Sequence, residues 1–430
     1  MQRRFQLILI FMLCAGLMAC QPQSQLTITV TPAVTAEAEA TTSSMATPEI
    51  TASVSEERGL VIWVPDQMYP SDNAQITAAF DEQIQSFAAE QNVTIELRRK
   101  ASQDVGGILS TLRSAASVAP GALPDLTLLR YEDFLAAEQA NLLFPLDGLI
   151  TASVIAELDE TALRLATVED QLYGVPYVLD VLMAAHTDDE LSDTSISFDE
   201  VIENRLRYMA PINRSGISEV FWLQYLAAGG TPVENGTATL NEQALLDVLT
   251  FYEDLVESGL IDQTILDYTA ISAYLPSLLD GGTDIGIVTS TQFHQLARQS
   301  ATVYPATLPT HNGTVISQVN GWIWVLTASD AQQQGLAGQM INWLMDVERQ
   351  GEYAQSLGVI ASRSDTLRLY PPEALSLQFM DSLLANVQPP IAGQPTGNTL
   401  RAMQTALVSV IRGEVSAREA VQRAVDQLSG

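Results

Sequence analysis

The chain contains few residues of the types that bind metals or act as nucleophiles. Its only histidines are His186, His294 and His311, and none has the spacing of a metal ligand to a cysteine or to another histidine. Its only cysteines, Cys14 and Cys20, lie within the first twenty residues. The sequence therefore predicts no metal site, no disulfide framework and no cofactor in the folded part of the protein.

The familiar motifs of enzyme active sites are also absent. The chain has no GxSxG elbow, no HExxH helix, no phosphate-binding loop ending in GK[ST], and no GxGxxG after a predicted strand. Adjacent carboxylates such as Glu132 with Asp133 carry little information, because a chain with 51 Asp and Glu residues contains such pairs by chance. The sequence therefore predicts that the protein is not an enzyme. A secreted glycan hydrolase stays open as an alternative, and it would need an acid of raised pKa facing a second carboxylate.

The composition is acidic and typical of a globular protein. Lys and Arg total 20 against 51 Asp and Glu, the formal net charge is −31, and Lys100 is the only lysine. Because binding to phosphates needs clustered positive charge, we expect no nucleic-acid partner. With 430 residues, of which 47% are hydrophobic, the chain is long enough for two or three domains with buried cores.

The first twenty residues have the pattern of an export signal. Arg3 and Arg4 precede an apolar run from Phe5 to Ala19, which is too short for a membrane span. The run ends in Leu-Met-Ala-Cys at 17–20, which resembles a bacterial lipobox. We therefore expect a signal peptide over 1–19 and a lipid anchor on Cys20, the only contact with the membrane. The alternative is a plain secreted protein that is cleaved elsewhere.

Residues 20–57 have the composition of an unstructured tether. The segment is rich in Thr, Ala, Ser, Pro and Glu and has almost no large apolar residues, as in TPAVTAEAEATTSSMATPE. Such a segment cannot bury enough apolar surface to offset the entropy lost on ordering. We expect it to hold the folded body close to the membrane.

After the tether, strand and helix patterns alternate. An apolar strand pattern at 60–64 precedes a helix with Ile76, Phe80, Ile84 and Phe87 on one face. Strand patterns follow at 93–98 and 123–130, each before a helical segment, and this alternation predicts an α/β fold with a parallel sheet. Later segments are mainly helical, with strands returning in three places. The predicted later helices are 198–209, 219–228, 241–258 and 269–280, and the later strands are 283–288, 302–309 and 321–327.

Several stretches, in order, resemble one family over about 370 residues. They are PDLTLLRYEDFLAAEQANLLFPLDGLI (124–150), LYGVPYVLD (172–180), FWLQYLAAGG with LNEQALLDVLTFYEDLVESGLI (221–261), TDIGIVTS (283–290), GWIWVLT with INWLM (321–345), and ALVSVIRGEVSAREAVQRAVDQL (406–428). The chain resembles the family 1 extracellular solute-binding proteins, the receptor components of ABC importers, to which maltose-binding protein belongs.

The resemblance implies a two-lobed, periplasmic-binding-protein-like fold of type II, in which each lobe is a sheet flanked by helices and hinge strands join the lobes. The expected lobes are 58–178 with 307–345, and 179–306 with 346–430. It also implies an extracytoplasmic, monomeric receptor that captures a solute, expected to be an oligosaccharide, by hinge closure and delivers it to the transmembrane subunits of an ABC permease.

By the same resemblance, loops at strand ends line the cleft between the lobes. Aromatic rings stack on the C–H faces of sugars, and carboxylates and amides bind the hydroxyls. The residues expected at the ligand are Asp66, Tyr69, Tyr131, Glu132, Tyr177, Asp180, Trp222, Thr289, Gln292, Gly321 and Trp322.

Other interpretations stay open at several of these positions. Trp63, Trp324 and Trp343 lie inside strand or helix patterns and are expected in the core, and Trp222 fits a core position as well as a cleft position. After Asp180 the chain reads AHTDD (185–189), where the family often has two tyrosines and an asparagine, and this departure leaves room for ligands other than sugars. A surface lipoprotein that binds a partner protein would explain the anchor and tether equally well.

Overall fold

A computed structural model describes the folded part of the chain. The described residues are 27–30, 59–102, 106–188, 191, 195–212, 216–231, 239–299, 302–369, 377–388 and 397–429. The predicted signal peptide, Cys20 and most of the predicted tether lie outside these residues. Within them, no helix is long and apolar enough to span a bilayer.

The structure contains strands and helices throughout the described part of the chain. The strands are β1 (Thr27–Val30), β2 (Leu60–Pro65), β3 (Ile95–Lys100), β4 (Leu126–Arg130), β5 (Thr167–Val168), β6 (Gln171–Leu172), β7 (Gly174–His186), β8 (Tyr208–Met209), β9 (Ile285–Thr289), β10 (Tyr304–Ala306), β11 (Ser317–Leu326), β12 (Ile360–Ala361) and β13 (Val387–Gln388). The helices are α1 (Ala74–Gln91), α2 (Ile108–Val118), α3 (Tyr131–Glu138), α4 (Ala152–Glu157), α5 (Glu160–Leu165), α6 (Phe198–Glu203), α7 (Glu219–Ala227), α8 (Glu242–Glu257), α9 (Leu275–Leu279), α10 (Ser290–Gln299), α11 (Ala331–Leu344), α12 (Val347–Leu357), α13 (Ser364–Leu367), α14 (Leu377–Leu384), α15 (Asn398–Ile411) and α16 (Ala417–Ser429).

Two long strands connect the two halves of the sheet. The main path runs β1-β3-β2-β4-β11-β7-β9-β8, with β10 and β12 paired to β7 and β13 paired to β11. β2 is parallel to both β3 and β4, whereas β11 is antiparallel to β4 and to β7. In β7, residues 174–181 pair with β11, and residues 182–186 pair with β9. β7 is therefore shared by both halves.

The buried apolar residues form two separate cores, one in each half. The core of the first lobe is built around β2, β3, β4, α1 and the first part of β7, with Phe80, Phe134 and Trp324 fully buried. The core of the second lobe is built around α7, α8, β8, β9, α15 and α16. This arrangement is the two-lobed α/β fold predicted from the sequence.

Local sequence signals explain several of these elements. The predicted apolar face of α1 is buried, and Asn73 caps the helix by accepting a hydrogen bond from the backbone N–H of Ile76. Asn241 caps α8 in the same way, and the following Gly259 has a φ of 68°, a left-handed conformation that favours glycine.

Three segments differ from the sequence predictions. The helix predicted over 198–209 ends at Glu203, because Tyr208 and Met209 pair as a strand with β9. The strand predicted over 302–309 is limited to Tyr304–Ala306. Within the predicted tether, Thr27–Val30 form β1, which pairs antiparallel with residues 95–98 of β3.

The expected second part of the second lobe is wrong for residues 347–369 and 377–388. Tyr353 on α12 packs against Phe80 of α1 in the first core. β12 pairs with β7 at Val178 and Leu179, and β13 pairs with the start of β11. These long-range contacts place the segment with the first lobe, and only α15 and α16 return to the second core.

Candidate functional site

The ends of several strands meet at one edge of the first lobe. Since β2, β3 and β4 are parallel, their carboxyl ends lie at the same edge, and β11 begins there because it runs antiparallel to β4. In this register Trp322 lies opposite Arg130, directly before Tyr131 at the start of α3. The topology therefore brings Tyr131 and Trp322 together.

A small pocket lies at this edge beside β7, and we call it the hinge pocket. It is lined by Tyr131, Ala162, Leu165, Pro176, Val178, Leu179, Gly321, Trp322 and Ile323. Three of the predicted ligand residues, Tyr131, Gly321 and Trp322, thus contribute to one cavity. Trp322 is buried but keeps 9% of its surface exposed. Burial raises the pKa of the Tyr131 hydroxyl, so this group stays a neutral hydrogen-bonding group.

Gly321 allows the two long strands to approach closely at the pocket. A Cβ atom at this position would lie 2.6 Å from the carbonyl oxygen of Val178. The β7–β11 register also shifts between Trp322 and Ile323, as in a β-bulge. Gly321 therefore acts through the backbone, by positioning Trp322 next to β7.

Asp180 connects the middle of β7 to the start of α10. Its carboxylate accepts hydrogen bonds from the Ser290 hydroxyl at 3.0 Å, the Thr291 N–H at 3.0 Å and the Thr291 hydroxyl at 2.9 Å. Burial raises the pKa of Asp180, and the hydrogen bonds oppose this shift. Asp180 thus holds the first turn of α10 against the strand that joins the lobes.

Thr289 and Gln292 lie next to this contact and bind each other. The Thr289 N–H donates to Gln292 Oε1 at 2.9 Å, and the Gln292 N–H donates to Thr289 Oγ1 at 3.3 Å. Both side chains are half-buried. The structure therefore groups Asp180, Thr289 and Gln292 at the junction of β7, β9 and α10.

A buried carboxylate that the sequence reasoning missed, that of Glu219, lies within electrostatic range of Glu132. Glu219 is the first residue of α7, after the N-cap Ser218. Burial raises the pKa of Glu219, the negative charge of Glu132 raises it further, and a hydrogen bond from Gln318 on β11 lowers it. The negative charge of Glu132 on α3 therefore disfavours the ionised form of Glu219 on α7. The Ser-Glu pair before an apolar helix was the sequence signal for Glu219.

Arg130 partly balances the negative charge on the first lobe. Its guanidinium lies 3.9 Å from the Glu132 carboxylate and 3.8 Å from the Asp133 carboxylate. Burial raises the pKa of Asp133, while the charges of Arg130 and Arg113 lower it.

Asp66 also lies at the strand-end edge, at the end of β2. Its carboxylate accepts hydrogen bonds from the backbone N–H of Ser102 at 3.1 Å and from the Ser102 hydroxyl. Asp66 is half-buried and links the ends of β2 and β3. In this structure its side chain has a local structural partner.

Three predicted ligand residues are placed in the cores, which corrects the expectation for them. Tyr69 is 6% exposed and donates its hydroxyl to Asp81 on α1 at 2.7 Å. Tyr177 is fully buried against Trp324 and Tyr353, because helices and strands cover both faces of β7 there. Trp222 packs on Tyr225 in the second core, because α7 is apolar on all sides.

The other tryptophans, Trp63, Trp324 and Trp343, pack against neighbouring elements, as expected for structural residues. Trp63 and Trp324 are buried in the first core. Trp343 is half-buried and packs against Phe87 and the Arg349 guanidinium, which lies 3.5 Å from its ring centre. Among the described residues, no group of three or more His, Cys, Asp or Glu is arranged to hold a metal ion.

Sequence comparison places the chain in a family. The sequence profile described as "Bacterial extracellular solute-binding protein" matches residues 82–373, which is more than half of the chain. The chain belongs to this family. Its members are binding proteins, in agreement with the predicted resemblance. No curated protein is significantly similar in sequence.

Solved structures of solute-binding proteins share the fold. Maltose-binding MalE of Listeria monocytogenes has a TM-score of 0.65 at 13% identity, covering 87% of this chain and 97% of its own. The cyclic α-maltosyl-1,6-maltose binding protein of Arthrobacter globiformis has a TM-score of 0.64 at 14% identity, covering 86% and 98%. A Thermotoga lettingae ABC transporter solute-binding protein with bound α-D-tagatose also has a TM-score of 0.64, at 15% identity, covering 86% and 98%. The two-lobed solute-binding fold is therefore confirmed.

Proposed function

We propose that the protein is a lipid-anchored receptor of an ABC importer that captures a carbohydrate between its two lobes. The observation that carries the proposal is the pocket lined by Tyr131 and Trp322 beside β7, with the Glu132 carboxylate adjacent to Tyr131 in the first turn of α3.

The chemistry of this group suits a sugar. The rings of Tyr131 and Trp322 offer apolar faces for the C–H groups of a pyranose. The carboxylates accept hydrogen bonds from hydroxyls, and the amide of Gln318 both donates and accepts. Similar structures were solved with maltose and with tagatose, which supports a carbohydrate for this chain as well.

Hinge closure is the proposed response to the ligand. β7 pairs with β11 over residues 174–181 and with β9 over residues 182–186, so it is shared by both halves of the sheet. A ligand that binds groups on both lobes stabilises the closed state by its differential affinity for that state. The permease would then bind the closed, loaded monomer.

The extracytoplasmic location and the anchor are part of the proposal. The family is described as extracellular, and the lipobox-like 17–20 segment ends in Cys20. Mass spectrometry of the mature N-terminus tests this step. We expect a diacylglycerol-modified Cys20, and a Cys20→Ala variant released from the membrane; an unmodified N-terminus at another residue would contradict the anchor.

Calorimetric and thermal-shift titration of the mature protein in detergent tests the receptor function. The ligands are mono- and oligosaccharides, polyols, peptides and phosphorylated sugars. A saturating ligand at about 100 times Kd stabilises the native state by about 2.7 kcal/mol. We expect one saccharide class to give this shift.

Two tryptophan variants locate the site. We expect Trp322→Ala to weaken saccharide binding by about tenfold or more, and the matched control Trp343→Ala, half-buried on α11, to leave it unchanged. A shift with peptides alone, or with no small solute, would overturn the carbohydrate proposal, and the latter result would favour a protein-binding lipoprotein.

A further inference from the structure

The hinge pocket has an unusual lining for a sugar site. Its exposed lining is entirely hydrocarbon, and besides Tyr131, Gly321 and Trp322 it is surrounded by Ala162 and Leu165 from α5, Pro176, Val178 and Leu179 from β7, and Ile323 from β11. The pocket has room for about one water-sized or methyl-sized group. Its walls are therefore apolar and its capacity is small.

The polar groups of the site lie next to the pocket in the chain but do not line it. Glu132 follows Tyr131, and Asp180 follows Leu179, yet neither carboxylate is part of the lining. A solute bound at this site would thus contact groups that can bind its hydroxyls around the pocket and only hydrocarbon inside the pocket.

A hydroxyl group placed in the pocket would lose its hydrogen bonds to water without gaining equivalent ones. Burying an unpaired hydroxyl is costly, whereas burying a methyl group is favourable. A water molecule is an equally poor occupant, because a buried water needs two to four polar partners.

We infer that the hinge pocket binds an apolar substituent of the solute, and that the receptor prefers deoxy or O-methyl saccharides over their hydroxylated parents. This inference rests on the proposed function, since it names the saccharide class for the same site. The geometry assigns the preference to Val178 and Trp322, which lie opposite each other in the β7–β11 register, and to Ala162 and Leu165, which lie across from them on α5.

Matched ligand pairs test the preference on the unaltered mature protein. The pairs are L-fucose with L-galactose, L-rhamnose with L-mannose, 6-deoxyglucose with glucose, and 6′-deoxymaltose with maltose, each titrated by calorimetry. In the pairs that bind, we expect the deoxy member to bind about tenfold more tightly or better. Equal or tighter binding of the hydroxylated member in every binding pair would overturn the inference and leave the receptor proposal intact. Absence of binding by all saccharides would overturn both.

A substitution in the pocket wall tests the assignment. Val178→Thr keeps the side-chain shape and adds a hydroxyl that can pair with a ligand hydroxyl, so we expect the deoxy preference to fall about fivefold or more. The matched control is Val175→Thr, because Val175 is equally buried on the same strand but does not line the pocket. An equal loss of preference in both variants, or no change in Val178→Thr, would contradict the pocket assignment.

Discussion

Asp180 shows how the partners of one side chain can lie far away in the sequence. Sequence reasoning placed it at a hinge crossing, and the structure shows its carboxylate bound to Ser290 and Thr291 at the start of α10. The partners of a side chain depend on segments more than a hundred residues away, so local sequence could not reveal them. The same limit explains Tyr69 and Tyr177, whose residue type fits a sugar site but whose positions are in the core.

His186 is the residue for which the structure makes the clearest pH prediction. It is 1% exposed at the end of β7, between β9 and β10, and its Nδ1 has no hydrogen-bond partner among the described residues. Burial lowers the pKa of His186, and a hydrogen bond and charge interaction with Asp188 oppose this shift. The ring of Tyr304 packs beside it.

Because the pKa of His186 is lower in the folded state, the unfolded state binds more protons as pH falls below the ordinary histidine value. The free energy of unfolding should therefore decrease as the pH falls through this range. We expect His186→Phe to reduce this loss, measured by urea unfolding at about pH 7.5 and about pH 5.5. The exposed His311→Gln should not reduce it. An unchanged acid sensitivity in His186→Phe would exclude His186 as the source.

At the scale of elements, the sequence predicted the features that depend on interactions within a few residues. The alternation of β2, α1, β3 and β4, the apolar face of α1 and the cap of α8 were all readable, because periodicity and capping act within a few residues. The end of α6 at Glu203 and the placement of 347–369 and 377–388 in the first lobe were not, because strand pairing and core contacts with distant segments decide them.

At the scale of elements, our prediction concerns the close approach of β7 and β11 at Gly321. A methyl group there would meet the Val178 carbonyl oxygen of the neighbouring strand, so Gly321→Ala must separate β7 from β11 at the hinge pocket. We expect a loss of about 1–3 kcal/mol in the free energy of unfolding, together with weaker ligand binding.

The control for this change is Gly335→Ala on α11, where a methyl group would have no neighbour within 4 Å. That substitution should stabilise the helix by about 1 kcal/mol and leave ligand binding unchanged. Chemical unfolding and calorimetry measure both variants. Equal stability of Gly321→Ala and the parent chain would show that the strands do not need this close approach.

At the scale of the whole molecule, the fold consists of two cores and a strand, β7, that belongs to both halves of the sheet. Each lobe has its own core, and β7 passes from one to the other while the candidate ligand groups lie at this passage. The sequence resemblance predicted this architecture, and family membership and shared fold confirm it. Which solute binds depends on side-chain placement around the hinge pocket, which the order of strands and helices does not determine.

The most direct test of the account is the distance between the lobes with and without solute, measured by single-molecule energy transfer on the mature protein. Labels at Val118→Cys on α2 and Glu257→Cys on α8 mark exposed positions of the two lobes. We predict that a saturating saccharide shortens this distance in the parent chain, and that Trp322→Ala needs a higher saccharide concentration for the same change. A distance that stays constant while calorimetry shows the saccharide bound would contradict capture by closure of the two lobes.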